Sequence, residues 1–258
     1  MVNRLWHHHF GQGLVTTPSD FGRGGDKPSH PELLDYLAGE FLARGWSQKA
    51  LHHLICTSET YKQSSVAQND KAVQMDANNR LLWRQNPRRL DAESLRDAVL
   101  QSSGKLNLAM GGPGYRDFDY KEEYAPVYSY IAPDKPELWR RSIYRFVVRT
   151  TPHQFLGTLD CPNPNNFTPV RATTTTALQA LALSNNEFML KQTRYWAERV
   201  TAEAGEKPAA QIERAFALAL QRAPTPNERA AAEKLVAERG LFSLCRTLFN
   251  ANEFVYVD

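Results

Sequence analysis

What most narrows the folds open to this chain is its punctuation. Helix-start and helix-stop signals bracket amphipathic stripes toward both ends, and a proline- and tyrosine-rich stretch without them lies between. Ser29-His-Pro-Glu32 reads as a capping box with Pro31 in the first turn. Leu33, Leu34, Leu37, Phe41 and Leu42 then form one helical stripe, and Gly45 stands at its stop. Ser47 predicts the cap of the next helix, which carries Leu51, Leu54 and Ile55, with Trp46 and Leu51 at hydrophobic-staple positions. Asp91 opens a third helix that Gly104 closes.

The far end repeats the pattern. Thr173 to Asn185 sets Ala177, Leu178, Leu181 and Ala182 on one face, behind a run of threonine hydroxyls suited to N-capping. Ser184-Asn-Asn-Glu187 reads as a capping box ahead of Phe188, Tyr195, Trp196 and Val200. Thr225-Pro-Asn-Glu228 joins a capping box to a proline at the first helical position. Gly240 divides that helix from one carrying Leu241, Leu244, Cys245, Leu248 and Phe249.

Between these blocks, residues 105–170 hold eight of the fifteen prolines and the Gly111-Gly-Pro-Gly114 turn, which argues against long helices. Val127, Ser129 and Ile131 alternate with Tyr128 and Tyr130, a period of two that predicts a short strand and with it a small hairpin. Trp139 to Val148 fits a strand and a helix equally. The expected fold is mainly α. It is a single multi-helix domain over 1–258, with a helical part (1–104), an irregular Tyr/Pro/Gly-rich insertion (105–170) and a second helical part (171–258).

Composition excludes whole classes. A hydrophobic share of 42% with 31 basic against 28 acidic residues is too apolar and too balanced for a disordered chain. No apolar run approaches the roughly 18 residues of a membrane span. Arginines cluster at 80–96 and 140–149, but Asp91, Glu93 and Asp97 interleave with the first group. Structural ion pairs therefore come before a nucleic-acid-binding module, which needs a one-sided basic excess.

The apolar helical pattern starts at the second residue, with Val2, Leu5, Trp6 and Phe10, where a secretory leader would need an unbroken apolar stretch. The expectation is a C-terminal piece of a longer polypeptide. Cys56, Cys161 and Cys245 are far apart and form neither CxxC nor CxxCH, so no haem attachment and no Cys-rich zinc site is written here. Cys56 and Cys245 follow helical apolar patterns and are expected as buried thiols.

Four groupings could carry chemistry. Six of seven histidines fall within the first 53 residues. Adjacent histidines on a helix point about 100° apart, so one of His7–His9, in practice His9, would have to join His30 and one of His52 or His53 around a metal. The glycines between Gly11 and Gly25 could cradle an anion, but their spacing matches no phosphate loop, so a linking loop is preferred. Asp117, Asp119, Glu122 and Glu123 stand among tyrosines, as a glycosidase needs an acid, a base and a flat platform. Asp117 and Asp119 would share a face if extended. Cys56 beside His52 and His53 lacks a third, orienting group. Arg171, Gln179 and Asn185 near the threonine run are candidates for a buried polar network.

Several stretches together resemble one family. They are Asn3-Arg-Leu-Trp6, His9-Phe-Gly-Gln-Gly-Leu-Val15, Asp20-Phe-Gly22, Ser29-His-Pro-Glu-Leu-Leu34, Asn79-Arg-Leu-Leu-Trp83, Arg88-Arg-Leu-Asp-Ala-Glu93, Thr176-Ala-Leu-Gln-Ala-Leu-Ala-Leu-Ser-Asn185 and the closing Leu248 to Asp258. The family is domain-of-unknown-function family 1553, the planctomycete-type C-terminal domain, and the resemblance spans essentially the whole chain. It implies an exported, periplasmic protein whose upstream companion domain is often cytochrome c-like, with haem c there and no cofactor in this chain. It names no reaction. The matched polar positions are Arg4, His9, Asp20, His30, Arg89, Asp91, Arg171, Thr176, Gln179 and Asn185. The expected function is a non-catalytic accessory module docking on such a companion in an electron-transfer or polysaccharide-related assembly. The alternative is a metal- or carboxylate-dependent hydrolase of glycans or esters.

Overall fold

A computed structural model describes residues 1–66, 69–132 and 134–257. Among them eleven α-helices carry most of the ordered backbone, and the strands are short, so the fold is mainly α. The chain divides into two compact units, one of residues 1–88 with Val257 and one of residues 89–256. The division falls at Arg88, ahead of the composition change at residue 105 that the sequence suggests as a boundary.

In the first unit α1 (Val2–Phe10), α2 (Pro31–Ala43), α3 (Gln48–Cys56) and α4 (Asp70–Met75) follow in order. The predicted stripes of the first three meet, except that Leu42 of the α2 stripe is exposed: Leu5, Trp6, Phe10, Leu37, Phe41, Leu51 and Ile55 make one core. The loop after α1 is clamped by Asn3, whose amide donates to the Val15 carbonyl and accepts from the Val15 N–H, both at 2.9 Å. That approach requires glycine at 13, where a Cβ would lie 2.6 Å from the Val15 oxygen. Ser47 caps α3 as expected. Two expectations fail. Ser29 makes no capping box, because α2 starts behind His30 and the Ser29 hydroxyl bonds the His30 ring instead. Trp46 is exposed and edges onto Phe41, so it does not staple α3.

The second unit holds α5 (Ala92–Ser102), α6 (Gln154–Thr158), α7 (Ala177–Asn185), α8 (Glu187–Ala204), α9 (Pro208–Leu220), α10 (Pro226–Phe249) and α11 (Asn252–Val255). Its core gathers Leu95, Val99, Trp196, Val200, Ile212, Phe216, Cys245 and Phe249. Asp91 caps α5, and the Thr225–Glu228 capping box forms in full. Gly240 interrupts α10 with φ 79° and ψ 169°, the break that the sequence expects there.

Arg88–Arg89 (β1) and Tyr256–Val257 (β4) are two-residue strands. The predicted hairpin is present: β2 (Phe118–Lys121) pairs antiparallel with β3 (Val127–Tyr130), Phe118 opposite Tyr130. Residues 139–148 are neither helix nor strand but 3-10 turns and isolated bridges, including Tyr115 to Arg145. Two further corrections concern α7 and α8. Leu178 and Leu181 are exposed, and the face of α7 that turns inward carries Gln179 and Leu183. The cap of α8 is Asn186, while the Ser184 hydroxyl donates back to the Leu181 carbonyl.

Candidate functional site

Of the matched polar positions of the second unit, Arg89 and Gln179 meet at Asp160, a residue that the sequence does not single out. Arg89 donates to Asp160 Oδ2 at 2.6 Å, to Gln179 Oε1 at 3.1 Å and to the Leu159 carbonyl at 3.2 Å, and it also reaches the Thr174 carbonyl. Gln179 donates in turn to Asp160 (3.1 Å) and Thr174 Oγ1 (2.9 Å), and its oxygen accepts the Thr176 N–H of the α7 capping box. Thr174 gives both N–H and hydroxyl to Asp160. Burial would raise the Asp160 carboxyl, but these bonds from Thr174 and Arg89 outweigh it and hold it below its usual range. Beside it Arg171 grips Glu93 with two bonds, at 2.6 and 3.1 Å, and stands 3.5 Å from Asp91. Burial, reinforced by the Glu93 charge, pushes the Cys161 thiol up to about 11. Asn185 lies outside this knot and accepts from Arg246.

Chemically, the knot is saturated. Asp160 and Glu93 are each hydrogen-bonded, and the Arg89 side chain is buried within it. Such a network fixes the chain path from 171 to 176 and leaves no group free to move a proton.

The histidines of the first unit converge in part. His9 Nε2 is 2.7 Å from His52 Nδ1, and Cys56 Sγ is 3.8 Å from His9 Nδ1, with the Tyr61 ring edge-on to His9. His53 is exposed on the other side of α3, and His30 is occupied by Ser29. Among the described residues no three His, Cys, Asp or Glu side chains form a group suited to a metal ion. Cys56 is half-buried rather than buried, Cys245 is fully buried, and all three thiols are free. Arg4 is exposed, and Asp20 organises the glycine loop by accepting the Gly22 N–H at 2.8 Å.

The remaining candidate is Asp117. It precedes β2 and is buried, whereas Asp119 faces solvent, so the two carboxylates do not share an environment. Arg145 Nε donates to Asp117 Oδ2 at 2.8 Å, and His153 Nε2 stands 3.5 Å from the same oxygen. His153 Nδ1 accepts the Leu156 N–H at the start of α6, which leaves the ring proton on Nε2, toward Asp117. Burial would raise the Asp117 carboxyl, but hydrogen bonds from His153 and Arg145 overcome it and keep it ionised. Its other oxygen, Oδ1, is buried with no hydrogen-bond partner among the described residues.

Asp117 lines a cavity of about 270 Å³ within the second unit. Tyr130 and Ile131 from the end of the hairpin face α6 and the first turns of α8, which supply Phe155, Phe188 and Lys191. Of the cavity residues, the sequence reading singled out Asp117 for chemistry; its partners Arg145 and His153 carried no local signal.

Comparison with family models gives a match. The family model described as PSD1, protein of unknown function (DUF1553), covers residues 1–236. No curated protein and no solved structure matches the chain.

Proposed function

We propose, for a chain that belongs to the DUF1553 family, a non-catalytic recognition role in which the second unit holds a small ligand in the cavity beside Asp117. The observation that carries this reading is the cavity of about 270 Å³ itself, lined by Tyr130, Trp139, Phe155 and Phe188 beside the ion-paired Asp117.

The hydrolase alternative is the weaker one. A general acid must hold a proton near neutral pH, and Asp117 is kept from doing so by Arg145 and His153. His153 has both ring nitrogens engaged, Nδ1 by the Leu156 N–H and Nε2 by Asp117. On this reading the module serves a companion domain of a longer exported protein, haem-bearing in the cytochrome-linked case. Any redox chemistry resides in that companion.

The test is a thermal-shift screen of small polar and amphipathic compounds on the intact chain and on Ala132→Phe, which enlarges a residue of the cavity wall. Stabilising compounds lost in the variant support recognition. Turnover of chromogenic glycosides or esters that disappears in Asp117→Asn would replace recognition with catalysis.

A further inference from the structure

The first unit holds a cysteine that ligand recognition in the second unit does not use. Cys56 is the last residue of α3, and His52 stands four residues before it, so the two share a face of that helix. His53, one step round, is exposed. The last turn of α1 brings His9 to both of them. Cys56 Sγ lies 3.8 Å from His9 Nδ1, and His9 Nε2 lies 2.7 Å from His52 Nδ1. The Tyr61 ring stands edge-on to His9.

A thiol is a weak nucleophile until it loses its proton. A neighbouring base, itself held by a third group, is the arrangement that removes it. The sequence places His52 and His53 near the cysteine and offers no orienting group. The fold supplies the base from a different helix and makes His52 the orienter. With the Cys56 thiol donating to Nδ1, His9 carries its own proton on Nε2 and donates it to His52 Nδ1. The same two contacts hold after the proton has moved, with His9 donating at both nitrogens.

The surroundings of His9 suit it to accept that proton. Burial, followed by the His52, Arg88 and His8 charges, holds its pKa below the ordinary 6.5. Near pH 7 the ring is therefore neutral. The other two thiols are worse placed. Burial with Glu93 alongside pushes Cys161 up to about 11, and burial pushes Cys245 up to about 12. Cys56 is half-buried and is the only cysteine of residues 1–88. That unit thus has no second thiol to displace a group attached to it.

We propose that Cys56 is a site of reversible S-thiolation, a thiol that takes a small disulfide as its reaction partner through the Cys56–His9–His52 relay. The Cys56 sulfur attacks one sulfur of the disulfide. The new S–S bond forms as the old one breaks, and the electron pair leaves on the departing sulfur. His9 Nδ1 takes the thiol proton and hands it to that thiolate. Cys56 is oxidised to a mixed disulfide, and the departing half of the partner is reduced to a thiol. His9 is the base, and His52 is a positioning residue that holds its ring.

Oxidised glutathione on the intact chain, with the modified peptides mapped by mass spectrometry, tests the relay. Cys56 is expected to react about tenfold faster than Cys161, or more. An unassisted thiol gains about tenfold in rate per pH unit below its pKa of about 8.5. The Cys56 rate is instead expected to change by no more than about threefold between pH 6.5 and 7.5. His9→Gln should restore the steep slope and slow the reaction at pH 7 by about tenfold or more. His52→Leu, which offers Nε2 no acceptor, should slow it several-fold, and His52→Gln, which keeps one, should recover most of the rate. Where His9→Gln does not fold, the slope in the intact chain and the two His52 variants decide. Modification of Cys161 ahead of Cys56, a steep slope at Cys56 in the intact chain, or a rate and slope indifferent to His9→Gln overturns the proposal.

Discussion

Arg89 shows how much a single side chain does in this protein. Its guanidinium ties Asp160, Gln179 and two backbone carbonyls together in a buried setting. Removing one partner of a buried pair leaves the other uncompensated, at a cost of about 3–5 kcal/mol. Arg89→Ala is thus expected to lower stability by that order in urea unfolding, with the capping box of α7 weakened alongside. His9 governs a different response. Burial, together with the neighbouring His52 charge, lowers its pKa below the ordinary 6.5. The unfolded chain then binds the proton more readily than the folded one, so this contribution to stability is complete above about pH 6.5 and fades as the pH falls below it. Urea midpoints should drop between pH 7.5 and 5.5, and His9→Gln should flatten that slope.

At the scale of elements, Gly240 offers the cleanest test. Its φ and ψ lie where glycine alone is at ease, yet an added Cβ would meet nothing within 4 Å. Gly240→Ala therefore isolates a backbone cost of about 1–3 kcal/mol, readable as a fall in melting temperature without loss of core packing. The elements also show what local spacing encodes. Thr225 to Glu228 was legible because cap, proline and reciprocal acid all lie within one turn. The stripe of α7 misled because Gln179, offered by the sequence for a buried polar network, is the residue drawn inward, by Arg89, while Leu178 and Leu181 face outward. Ser29 and Ser184 had the right neighbours for capping, but their hydroxyls find His30 and the Leu181 carbonyl. The site was legible only as a carboxylate among tyrosines. Arg145 and His153 reach Asp117 through tertiary folding, and no periodicity announces a partner that distant.

For the whole molecule, the two buried clusters have no residue in common. A lesion in one should therefore leave the other protected. Leu51→Ala is expected to cost about 2–5 kcal/mol and Trp196→Ala about 3–5 kcal/mol. Hydrogen exchange followed by mass spectrometry should find the accelerated amides within residues 1–88 for the first and within 89–256 for the second; acceleration spread across both would show a single cooperative core. Within the larger unit, the cavity has a hairpin and irregular turns on one side and the helices α6 and α8 on the other. Whatever lodges beside Asp117 thus acts as a rivet, fastening the loosely woven half of that unit to its helical frame.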